Sequence, residues 1–213
     1  MDELELLKKD WKRQEATLPH VNASDIYKMI LKTSSSLTKW ILIIAILEFV
    51  FWIALTILSS SDDYFDKLRK IHFYQANIYL SVVHYCILAF FIYWFYKNYK
   101  KIKVTDDIKL LMTNILKVRK TVNYYVIYNL GMSFVIAIMY FVAMAIYDPA
   151  FNKLWAGGAE NSLSHKLIVL GAITLFLLVL LVILWLFYKL LYGILLRRLH
   201  RNYKELNKLE LRN

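Results

Sequence analysis

Four runs of mainly apolar residues divide this 213-residue chain, and they constrain its fold more than anything else in it. They occupy residues 40–58, 75–96, 124–147 and 167–188. A helix needs roughly 20 such residues to cross a hydrocarbon core about 30 Å thick. Inside lipid every backbone N–H and C=O must be satisfied within the segment, which a helix does and an irregular chain does not. The expected class is therefore an all-α membrane protein with four transmembrane helices. Composition agrees: hydrophobic residues make up 59%, against roughly 45–50% in soluble domains. That is more apolar surface than a soluble domain of this size hides.

The polar segments between the runs carry the orientation. Of the 27 Lys and Arg, 22 lie in residues 1–39, 97–120 and 189–213. The two remaining loops hold Lys67, Arg69 and Lys70, and Lys153 and Lys166. The positive-inside rule then predicts both termini in the cytoplasm. The net charge of +11 resolves into +12 on that side, zero on the other, and one buried acid, Glu48. Basic residues that flank spans, without a recognition motif, exclude a nucleic-acid reading and favour attraction to anionic lipid headgroups of the bilayer. The first 39 residues are polar, so no cleavable signal is expected. The lone Cys86 falls inside the second run and gives no disulfide framework.

Outside the runs the periodicity stays helical. Residues 2–18 place Leu4, Leu7 and Trp11 on one face, with Pro19 as the stop. A second helix begins near Asn22 or Ser24 and carries Ile26, Ile30, Thr33 and Leu37 toward the first run. The N-terminal region 1–39 is thus helical. In the loop 97–123, Thr105 is the expected N-cap, followed by Asp106 and Asp107. Ile108, Leu111, Ile115, Val118 and Val122 then recur at 3-4 spacing, a coiled-coil-like seam. Beyond the fourth run, in the basic C-terminal region 189–213, Tyr192, Leu196, Leu199, Tyr203 and Leu206 repeat it. The third and fourth spans should continue as stalks. The seams can pack on one another, lie on the membrane, or dock a protein partner or a second copy. In the last case Leu4, Leu7, Trp11, Ile108, Leu111, Ile115, Leu199 and Tyr203 form the interface.

Within the runs, the polar residues stand out. A charge at the bilayer centre costs about 2.5–3.5 kcal/mol by insertion scales, so Glu48, near the middle of the first run, is expected to be protonated, paired or facing a wet interior. His84 lies at similar depth in the second run, and a Glu48–His84 contact is geometrically open. Asn129 sits one to two turns from the centre of the third. These three could form a proton or ion relay, or a polar clamp between helices. No catalytic constellation, cofactor site or metal spacing accompanies them. His72, Asp66 and His165 could meet on the outer face. Ser34, Ser35 and Ser36 read as a polar boundary before the first span. Gly131 and Gly171 read as points of close helix approach, and Tyr124, Tyr125 and Tyr128 as an interfacial belt or an intersubunit surface.

The opening DELELLKKDWKRQ, the passage DIYKMILKTSSSLTKWILIIAILEFVFW and the ending YKLLYGILLRRLHRNYKELNKLE resemble uncharacterised four-span membrane proteins of flavobacteria and their relatives. Some of these carry a carotene-cleaving monooxygenase label. That chemistry needs four His on a large soluble propeller, and this chain has five His in all and no segment for such a fold. Small proteins of such bacteria with a short Leu/Trp cytoplasmic helix also resemble anti-sigma-type regulators. Together these readings predict a non-enzymatic accessory, scaffold or regulatory protein. The alternative is a small transporter or channel subunit using Glu48 and His84.

Overall fold

The computed structural model describes residues 3–15, 22–105, 107–156 and 163–211, and all of its regular structure is helical. The elements are α1 (Glu3–Glu15), α2 (Ala23–Ser59), α3 (Asp62–Lys70), α4 (Tyr74–Lys103), α5 (Ile108–Tyr147), α6 (Pro149–Ala156) and α7 (Leu163–Glu210). The expected helix stop at Pro19 and the first-turn Asp106 lie outside the described residues.

Four helices, α2, α4, α5 and α7, are long and apolar enough to cross a membrane. At 1.5 Å per residue they measure about 55, 45, 60 and 72 Å, so each exceeds the hydrocarbon thickness by about 15–40 Å. The excess lies at the basic end. The stalks expected from the 3-4 spacing are therefore uninterrupted continuations of the spans.

The four helices form a ring in the order α2, α4, α5, α7, each packed on two neighbours. Every neighbouring pair is antiparallel. Tyr27 meets Thr105 while Thr56 meets Tyr85; Asn98 meets Thr121 while His84 meets Tyr128. Likewise Arg119 meets His200 while Phe141 meets Phe176, and Ser34 meets Asn202 while Glu48 meets Tyr188. This is an up-down-up-down bundle, the arrangement that short connections favour.

Its packed core sits toward the basic end. Ile41, Phe95, Leu111, Ile115, Val118, Val122 and Leu199 are fully buried there. In the apolar windows most side chains face outward instead, as Leu175, Val179, Val182 and Leu186 of α7 do. Lipid is as apolar as leucine, so nothing drives these side chains inward.

The two short helices fall in segments that read as loops. For α3, Ser61 accepts from the Tyr64 amide, Asp62 and Asp63 occupy the first turn, and Lys67, Arg69 and Lys70 the last. Both ends complement the helix dipole. His72, at φ 52°, ends the helix in a Schellman turn: its amide bonds to the Arg69 carbonyl and that of Phe73 to Leu68. Leu68 and Phe73 are buried together beside Ala143, which anchors the turn to α5. For α6, Asp148 accepts from the amides of Ala150 and Phe151, and Pro149 occupies the first position.

The cap of α5 differs from the expectation. Asp107 caps it, accepting from the amides of Lys109 and Leu110. Thr105 is buried and turned the other way, donating to the Lys101 carbonyl at 2.6 Å and accepting from Asn114. Its short hydroxyl closes the end of α4 instead of opening α5.

Candidate functional site

Each ring helix carries a seam at 3-4 spacing with polar residues embedded in it. On α2 the seam runs Ser34, Thr38, Ile41, Ala45, Glu48; on α5 it runs Asn114, Val118, Thr121, Tyr125, Asn129. On α7, Tyr188, Tyr192, Leu199, Asn202 and Leu206 face the same interior. The polar members meet in pairs between apolar layers. Asn202 donates to the Ser34 hydroxyl at 2.9 Å, Asn98 to Thr121 at 3.1 Å, and Asn114 to Thr105 at 3.1 Å. No buried side-chain N or O among the described residues lacks a partner.

Glu48 tops this column and is only 6% exposed. Tyr188 donates to its Oε1 at 2.5 Å and Tyr192 to its Oε2 at 3.1 Å. The two phenols lie one turn apart on α7, stacked at 18°, so a single helix face presents both donors. Tyr125 of α5 packs edge-on against both, with centroids at 6.3 and 5.8 Å. Each carboxylate oxygen thus receives one hydroxyl proton in an aromatic enclosure. A buried acid requires partners of this kind.

His84 stands apart, and the Glu48–His84 contact does not form. Its Nδ1 lies 3.2 Å from the Tyr128 hydroxyl, across the α4–α5 contact. The reason is rotational: Glu48 points from α2 toward α7, whereas His84 points from α4 toward α5. Asn129 is buried, but its amide donates to the Tyr125 carbonyl of its own helix at 2.9 Å. The three intramembrane candidates therefore form no continuous relay.

The interface candidates divide sharply. Leu111, Ile115 and Leu199 are fully buried inside the ring, while Ile108 and Tyr203 are half-buried against its core. Their seams close on one another, because four helices with matched 3-4 stripes satisfy them within one chain. Leu4, Leu7 and Trp11 are the opposite, 64%, 68% and 74% exposed.

Other expectations change too. Ser34 is a fully buried partner of Asn202, not part of a polar boundary. A Cβ at Gly131 or Gly171 would meet open space, so neither marks a close approach. Tyr125 is core, Tyr128 partners His84, and only Tyr124 is well exposed. On the far side, His165 donates to the Leu154 carbonyl, the His72 ring packs on Tyr147, and Asp66 pairs with Arg69. These three do not converge.

A model of a family described as a domain of unknown function (DUF8845) matches residues 24–211, from the first turn of α2 to the end of α7. No curated protein and no solved structure matches the chain.

Proposed function

We propose that this chain, which belongs to the DUF8845 family, is a non-enzymatic scaffold or regulatory protein of the bacterial inner membrane that recruits a protein partner through α1. The 22-to-5 partition of Lys and Arg supports both termini in the cytoplasm. One observation carries the partner reading. The seams of α2, α4, α5 and α7 are closed against each other, whereas Leu4, Leu7 and Trp11 of α1 stay exposed at i, i+3, i+7 spacing. That spacing is how an amphipathic helix presents anchors to a hydrophobic groove. The matched family region covers the bundle and begins after α1.

A transport role through Glu48 and His84 has less support. The two side chains bond to different partners, and the buried apolar residues Ile41, Ala45, Val118 and Leu199 lie below Glu48. In-cell crosslinking of the membrane-embedded protein, read by mass spectrometry, tests the proposal. A crosslinked partner that survives Leu7→Asp with Trp11→Ala unchanged would overturn it.

A further inference from the structure

Between α4 and α5, at the point where both helices leave their apolar runs, lies a cleft of about 360 Å³. Lys97, Lys101, Lys117 and Lys120 line it, with Trp94 and Tyr124 on its apolar side. Its floor is the buried Asn98–Thr121 pair, a fixed polar surface. No acidic residue lines it, and none of the four lysines makes an ion pair among the described residues. Lys97 and Lys101 are spaced i, i+4, and Lys117 and Lys120 i, i+3, so each pair stacks on one helix face. Like charges at these spacings repel. Two such pairs facing one cleft concentrate four positive charges, and no ion pair among the described residues balances them.

The depth of the cleft says what would balance them. Lys97 follows directly on the run ending at Tyr96, and Lys120 and Lys117 precede Tyr124 by four and seven residues. At 1.5 Å per residue all four lie within about 11 Å of the apolar boundary, in or next to the headgroup layer. Lys120 Nζ sits 5.6 Å over the Tyr124 ring, which holds it toward that layer. Trp94 and Phe90, both exposed on the apolar side, pack 5.6 Å apart and offer a surface to a glycerol backbone or acyl chain.

We infer that the α4–α5 cleft binds a phosphate-bearing anion of at least two charges, supplied by an anionic lipid headgroup. Basic pockets between membrane helices recognise such headgroups through charge and ammonium donors. The test is native mass spectrometry of the full chain in neutral detergent, titrated separately with diphosphatidylglycerol, phosphatidylcholine and inorganic pyrophosphate. Diphosphatidylglycerol is expected to bind one equivalent in preference to the other two. Replacing all four lysines by Gln should weaken that binding by about several hundredfold. The charge-matched variant Arg197→Gln, Arg198→Gln, Lys204→Gln, Lys208→Gln should change it less than about threefold, since those positions are exposed on α7 away from the cleft. The Lys→Arg version of the cleft should keep it. If the Gln variant does not fold, Lys97→Gln with Lys120→Gln reads the same comparison. Equal losses in cleft and control variants would overturn the site, because they report bulk charge. Pyrophosphate binding as tightly as the lipid would overturn the lipid source.

Discussion

Tyr188 donates to Glu48 across 140 positions of sequence, and this bond ties the last long helix to the first. Removing one hydroxyl leaves a buried carboxylate oxygen without a donor, which costs more than the bond itself contributes. Tyr188→Phe is expected to destabilise the bundle by about 1–3 kcal/mol, and Glu48→Ala by at least as much, since it orphans both phenols. Thermal unfolding in detergent measures this. If Tyr188→Phe left Tm unchanged, the clasp would hold nothing together.

The Ser34–Asn202 pair predicts an asymmetry. Asn202→Leu alone should cost about 1–3 kcal/mol, because Ser34 stays buried without its donor. Asn202→Leu combined with Ser34→Ala should recover most of that loss, because two apolar groups replace a satisfied polar pair. A double-mutant cycle by chemical denaturation gives the coupling directly.

Two aspartate substitutions separate the core from α1. Leu111→Asp places an unpaired charge in a fully buried layer and should prevent stable folding, costing more than about 4 kcal/mol. Leu7→Asp, on an exposed face of α1, should leave Tm within about 0.5 kcal/mol equivalent of the parent. Size-exclusion profiles and melting curves of the two variants distinguish them.

At the basic end, Arg119 donates to His200 Nδ1 at 3.0 Å, a bond only the unprotonated nitrogen accepts. Partial burial, then the nearby charges of Arg119 and Lys204, hold the imidazole below the usual histidine range. A histidine lowered in this way binds its proton more readily in the unfolded chain. Its contribution to stability is therefore complete above the unfolded-chain value of about 6.5 and is lost as pH falls below it. NMR titration of the His200 ring should show a midpoint below that value. Arg119→Gln should raise it.

Much of this fold is written openly in the chain. Runs of about 20 apolar residues announce the spans, and 3-4 spacing continues them through Val122 and Leu206 into the stalks, because helical periodicity is a local property. The small helices α3 and α6 had readable signals in Ser61-Asp62-Asp63 and Asp148-Pro149, outweighed by the polarity of their segments. The partners of Glu48 were not legible. Sixteen tyrosines are spread along the chain, and nothing local marks Tyr188 and Tyr192 as the pair that α7 turns toward α2. Depth along the membrane can be counted from a sequence; the rotation of a helix about its axis depends on all of its neighbours. That is why His84, at a similar depth, finds Tyr128 instead. For the embedded Asn and Ser residues a clue existed, since Asn114, Asn202 and Ser34 interrupt apolar stripes at core positions.

The alternation of polar pairs with apolar layers also keys the helices to one another. A slide of α7 past α2 by one turn, about 5.4 Å, would separate Asn202 from Ser34 and Tyr188 from Glu48 together. One turn along, Asn202 would face Thr38 and Tyr192 would take the place of Tyr188, so the shifted register keeps a hydroxyl at each level but gives up the paired phenols on Glu48. What singles out the native register is therefore the Glu48 carboxyl receiving two donors at once, a fit that a slide of α7 by one turn would halve.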